Sequence, residues 1–130
     1  MFKRLKNWFT GLLLAILAAL GAGVAISDDA SLTVTAPSRN TDNSVLDNLA
    51  GLNFYRGPLG GPYELIGSVP ETVAGATVTY LDSNLPDGTY CYVATAYNNQ
   101  APADESDYSN EVCKTIDTRV PRAPTNLVVN

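Results

Sequence analysis

The sequence predicts an all-β sandwich preceded by a hydrophobic N-terminal helix. Three observations carry this. Past residue 28 no stretch repeats its apolar residues with the 3.6-residue period of an amphipathic helix. Short β-rich runs stand there instead, separated by clusters of Gly, Pro, Asn and Asp. Trp8–Ser27, by contrast, carries no charge at all. The 130 residues suffice for one domain, and 45% apolar with 16% charged residues is a globular composition.

Lys3, Arg4 and Lys6 precede the apolar segment, and Asp28 and Asp29 end it. Positive before and negative after is the orientation that sends residues 28–130 out of the cytoplasm. Two readings remain open. A cleavable signal peptide needs small residues at its cut, and Ala25-Ile26-Ser27 or Gly23-Val24-Ala25 supplies them. An uncleaved anchor needs about 20 apolar residues, a length that residues 8–27 reach. A buried soluble helix is disfavoured, because a helix apolar on every face needs a larger protein around it. No Cys lies near the cut, which excludes a lipoprotein anchor. The expected organisation is an export or anchoring segment at 1–27, a sandwich at 28–117 and a tail at 118–130. The expected location is periplasmic, extracellular or membrane-anchored, with the domain outside the cytoplasm.

The strands follow in order. Ala30–Ala36 alternates Leu32, Val34 and Ala36 against Thr33 and Thr35, and Pro37 stops it by lacking an amide donor. Leu52–Arg56 is next. Gly57-Pro58 and Gly60-Gly61-Pro62 turn the chain into Tyr63–Val69. Thr77–Leu81 follows, then a turn over Asp82–Gly88. Thr89–Asn98 is the longest run, and a polar loop at Asn99–Asp107 leads to Tyr108–Ile116. Six strands at this spacing suit a sandwich.

The stretch from Leu32 to Ile116 resembles a fibronectin type III domain of the bacterial and phage kind. Thr35-Ala36-Pro37, Asn40-Thr41-Asp42 and Leu49-Ala50-Gly51-Leu52-Asn53-Phe54-Tyr55-Arg56-Gly57 carry the resemblance early. Leu85-Pro86-Asp87-Gly88-Thr89-Tyr90-Cys91-Tyr92 and Glu105-Ser106-Asp107-Tyr108-Ser109-Asn110-Glu111-Val112 carry it later. The resemblance implies an immunoglobulin-like β-sandwich with Tyr90, Tyr92, Ala94 and Ala96 toward the core. It makes Tyr90 the corner tyrosine whose hydroxyl bonds back to nearby backbone. Gly51 and Gly88 are expected at tight turns. Two departures stand out. Val34 occupies a position where the family usually has Trp, so the core must be filled from elsewhere. The family's opening strand is missing before Leu32, yet its pattern occurs at Pro121-Arg122-Ala123-Pro124-Thr125-Asn126-Leu127-Val128-Val129.

That tail admits three readings: a loose segment, a strand folded back into its own domain, or a strand donated to another copy or protein, giving self-association through residues 121–130. A seven-residue strand is ~23 Å long, and Asp117–Ala123 can reach only about 23–25 Å. Self-filling is therefore marginal.

With the last hairpin centred near residue 102, Cys91 and Cys113 lie directly opposite, alternating away from the core-facing tyrosines. A cross-strand disulfide on the outer face is expected, since exported domains meet oxidising conditions. The chain-entropy estimate for such a loop is roughly 3 kcal/mol, less if the geometry is strained.

Residues 28–130 hold five basic and thirteen acidic residues, a net charge of −8. Such a domain repels phosphate backbones, so no nucleic-acid partner is expected. There is no His, which removes His-dependent triads and His-ligated zinc. No nucleophile elbow, Walker loop or zinc motif occurs, and a carboxylate-pair glycosidase lacks a supporting cleft signal. No enzyme activity and no cofactor are expected. Asp104, Glu105 and Asp107 offer hard oxygen ligands for Ca²⁺, but their spacing matches no calcium loop, and a solvated acidic loop is the preferred reading. Tyr55, Tyr63, Tyr97 and Tyr108 lie at turns and loop ends, where tyrosines serve binding surfaces or ordinary packing. The expected role is a non-catalytic module for adhesion, scaffolding or protein binding at the cell envelope. In the family such domains are spacers in extracellular enzymes and parts of phage particles. The alternative is a carbohydrate-binding or phage-encoded surface protein, or a structural subunit assembling by strand donation. The membrane is a partner only through residues 8–27, if they stay uncleaved.

Overall fold

The computed structural model describes residues 27–130. The expected N-terminal helix, with its signal or anchor role, lies outside them. Among the described residues no helix is long and apolar enough to cross a membrane.

The described residues form six strands: β1 Asp28–Thr35, β2 Leu49–Gly57, β3 Glu64–Pro70, β4 Thr77–Leu85, β5 Gly88–Asn98 and β6 Val112–Ile116. They make two antiparallel sheets, one of order β1-β4 and one of order β3-β2-β5-β6. The two sheets face each other as a β-sandwich. Period-two alternation decides what is enclosed. Leu52 and Phe54 of β2, Val78 of β4 and Ala94 of β5 join Ala36 and Leu49 in one buried cluster. Ala30, Leu85, Tyr92 and Ile116 form a second. The Phe54 and Tyr80 rings stack with centroids 5.0 Å apart, and the Tyr80 hydroxyl donates to the Ile66 carbonyl at 2.8 Å. Gly67 makes room for that ring: a Cβ there would sit 2.4 Å from it.

Arg56 and Asp82 share the parity of these core residues, and their charges meet between the sheets. The Arg56 Nη1 donates to both Asp82 oxygens at 3.0 and 2.9 Å, and the Tyr92 hydroxyl donates to Asp82 at 2.8 Å. Asp82 raises the Arg56 pKa above its ordinary value. Burial, and then the Asp82 carboxylate, push the Tyr92 hydroxyl well up. The Tyr90 hydroxyl donates back to the Pro86 carbonyl at 2.8 Å, so the ring is buried in part while its polar tip finds a backbone partner.

Three sequence expectations need correction. The turn expected over Asp82–Gly88 is shorter, because β4 continues to Leu85. Asp82 and Leu85 are both buried, which holds that stretch on the sandwich. The last strand begins at Val112, not Tyr108. Ahead of it the chain runs beside β5 irregularly: the Ala96 and Ala94 amides donate to the hydroxyls of Ser106 and Ser109 rather than to carbonyls. Gly51 lies within β2 instead of a tight turn. Its absent side chain matters for close approach, since a Cβ would come 2.4 Å from the Tyr97 hydroxyl and 2.7 Å from the Val69 carbonyl. Cys91 points to the outer face as expected but is wholly buried there, while Cys113 is exposed.

Cys91 and Cys113 are direct register partners and form the expected disulfide, with Cα atoms 4.0 Å apart. Val34, where the resemblance expects Trp, is only half-buried. The tail takes no strand conformation, and residues 119–130 are exposed throughout.

Candidate functional site

With Leu52 and Phe54 turned inward, the alternation of β2 sends Asn53 and Tyr55 to the outer face of the four-stranded sheet. Two segments bring further tyrosines there. The turn after β2 carries Gly60 and Gly61 at φ 77° and 81°, a backbone that glycine adopts without strain, and the Gly61 amide closes it on the Pro58 carbonyl at 2.9 Å. This swings Tyr63 over the sheet. From the other side the β5–β6 connection lays down Tyr108. Its ring meets Tyr55 edge-on at 5.3 Å and 72°, and Tyr63 at 5.3 Å and 80°. Edge-to-face contacts of this kind hold aromatic pairs in fixed relative orientation.

Two carboxylates orient the hydroxyls. Tyr55 donates to Glu105, whose Oε2 also accepts from the Asn53 amide at 2.8 Å. Tyr63 donates to Glu111, whose Oε2 accepts the Gly60 backbone N–H at 2.8 Å. The Tyr63 bond, and then the Gly60 amide, hold the Glu111 carboxyl below its ordinary pKa. Burial and then Glu105 raise the Tyr55 hydroxyl, and Glu111 raises that of Tyr63. Tyr108 caps the group and remains 53% exposed.

Of the four tyrosines expected at a binding surface, the fold thus gathers Tyr55, Tyr63 and Tyr108. Tyr97 occupies the same outer face further along, laid across Gly51. The acidic trio divides. Glu105 is engaged by Asn53 and Tyr55, and Asp104 accepts from the Asn98 amide at 3.3 Å. Among the described residues, the ligand atoms of Asp104, Glu105 and Asp107 do not gather into a metal-sized cluster. Cys91, Cys113 and Glu111 do come that close, but both sulfurs are already spent on the disulfide.

Sequence reading missed Glu111 as the partner of Tyr63, which is 48 residues distant in the chain. It also missed the Arg56–Asp82–Tyr92 network. A signal existed for the network: Arg56 and Asp82 are opposite charges, each at core parity on its own strand. A separate cleft of about 510 Å³ opens between the β1–β2 connection and the Tyr97–Ser106 segment, lined by Arg39, Asp42 and Asp104 among others. No family model, curated protein or solved structure matches this chain.

Proposed function

We propose that the chain is an exported, non-catalytic module of the fibronectin type III kind that holds a partner at the cell envelope through its tyrosine face. The observation that carries the reading is the orientation of Tyr55, Tyr63 and Tyr108 by mutual edge contacts and by Glu105 and Glu111. Rings fixed before binding lose little rotamer freedom on contact, so they make effective anchors. The Tyr90–Pro86 bond and the two facing antiparallel sheets support the fold assignment. The partner is a protein, for adhesion or scaffolding. The acidic surface favours a partner with basic groups around the contact.

The test is retention of the chain on envelope preparations and on polysaccharide columns, with and without Tyr108→Ala. Tyr108 is exposed enough that this variant should keep its thermal midpoint. Loss of envelope retention alone supports a protein partner. Loss of polysaccharide retention makes the partner a glycan. Unchanged retention on both removes the tyrosine face from binding.

A further inference from the structure

We propose that the free edge of β1 is an acceptor for a strand donated by a second copy of this chain, and that the donated strand is Thr125–Val129. The inference uses the space between the sheets and is independent of the tyrosine face.

A two-stranded sheet here faces a four-stranded one. Strands within a sheet lie about 4.8 Å apart, so two strands span roughly half the width of four. β4 lies toward β3, and the deficit therefore falls on the β5–β6 side. The side chains show it. Val112 pairs with the buried Tyr92 and shares its face, yet it is 50% exposed. Leu32 and Val34 of β1 are only half-buried. Two clefts of about 280 and 200 Å³ run along this flank, between β1 on one side and β5 with residues 106–112 on the other. Lys114 closes one end, where its Nζ donates to the Asp29 carbonyl and lies 3.8 Å from the Asp28 carboxylate. Among the described residues β1 has β4 as its sole strand neighbour, so its other edge carries a row of backbone groups with no strand partner. An apolar floor beside such an edge is what strand addition requires.

The tail supplies a matching strand. Leu127 and Val129 are 98% and 96% exposed. In an extended Thr125–Val129 they share one face with Thr125, and Asn126 and Val128 share the other. The first face fits the apolar floor and the second fits solvent. The tail's own copy is badly placed to use it. Thr118 is held at the β4–β5 turn, its amide and hydroxyl donating to Asp87 at 2.9 and 2.7 Å. That turn is at the Asp28 end of β1, because Asp28 pairs with Leu85. A strand antiparallel to β1 must start at the Thr35 end, ~23 Å away. Thr118 to Thr125 is seven residue steps, at most ~23–25 Å, so a copy's own tail reaches that end only with the linker drawn straight, and on its own copy the tail takes no strand conformation. A second copy is under no such limit. Each copy then offers one groove and one strand, so assembly is head-to-tail.

The test is sedimentation of the full chain in mild detergent over a concentration series, with amide hydrogen exchange followed on β1. The wild type should grow in mass with concentration, and β1 amides should gain protection in step. Leu127→Asp combined with Val129→Asp should weaken association at least ~100-fold, because two buried apolar side chains are lost. Val128→Asp should change it by no more than about threefold, as at an exposed site. Three results would overturn the proposal: a wild-type monomer whose β1 amides exchange freely, a monomer whose β1 amides are protected by its own tail, or oligomers that survive the double substitution.

Discussion

Around Ile116 the sandwich buries its interior side chains, whereas around Val34 it lies open along one flank. At the closed end Ala30, Leu85, Tyr92 and Ile116 pack together, the Arg56–Asp82 pair ties β2 to β4, and the disulfide ties β5 to β6. At the open end Leu32, Val34 and Val112 face the same interior with solvent beside them. Both ends have the same alternating pattern in sequence. The difference comes from the number of strands available to cover each, so stability is concentrated where coverage is complete.

Equal truncations at the two ends should expose this contrast most strongly. Ile116→Ala should cost about 3 kcal/mol in denaturant unfolding, the usual range for a buried aliphatic. Val34→Ala should cost under ~1 kcal/mol, since much of its side chain is already wet. Equal losses at both positions would erase the distinction. Asp82→Ala should cost about 2–3 kcal/mol by leaving the Arg56 charge and the Tyr92 hydroxyl unpartnered. The figure is held down because the Arg56 side chain is 36% exposed. Reducing the disulfide should cost about 2 kcal/mol, below the entropic estimate for its loop. Hydrogen exchange should then rise in β6 before it rises in β2. Val34→Trp sharpens the comparison from the other direction. It should fill the flanking clefts, gain about 1 kcal/mol in the monomer and obstruct the groove of β1.

The smallest effects are pH-dependent. Tyr92 has a folded pKa raised above its ordinary value of 10.0. Its contribution is therefore complete below pH 10 and is lost as pH climbs toward the folded value. Wild-type stability should fall more steeply than that of Tyr92→Phe in alkaline titrations. Glu111 has a folded pKa below its ordinary 4.5. Its contribution is present above that value and is lost as pH falls through the folded one, so Glu111→Gln should flatten the acid limb.

Much of the sandwich was legible because strand alternation is a local signal. The alternation of Leu32, Val34 and Ala36 against Thr33 and Thr35 was readable in β1, and the Cys91–Cys113 register followed from the hairpin centre alone. The misses were tertiary. β4 extends past Leu81 because Asp82 finds a cation on another strand, which no local propensity encodes. Tyr108 leaves the strand because Ser106 and Ser109 supply hydroxyl acceptors to β5. The candidate site was half legible: the tyrosines were visible as residues at loop ends, but their convergence depends on Glu105 and Glu111 reaching across about 50 residues of chain.

The pairing of Asp28 with Leu85, the closeness of Lys114 to Asp28, and the hold of Asp87 on Thr118 share a mechanical consequence. The chain enters and leaves the sandwich at the same pole. Tension between the N-terminal segment and the tail therefore runs through that pole and bypasses the long axis of the domain. The sandwich hangs from its connection like a pendant and adds almost no length to it. Whatever grips the tail is held within a few residues' reach of whatever holds the N-terminus, while the opposite pole and the tyrosine face remain unloaded.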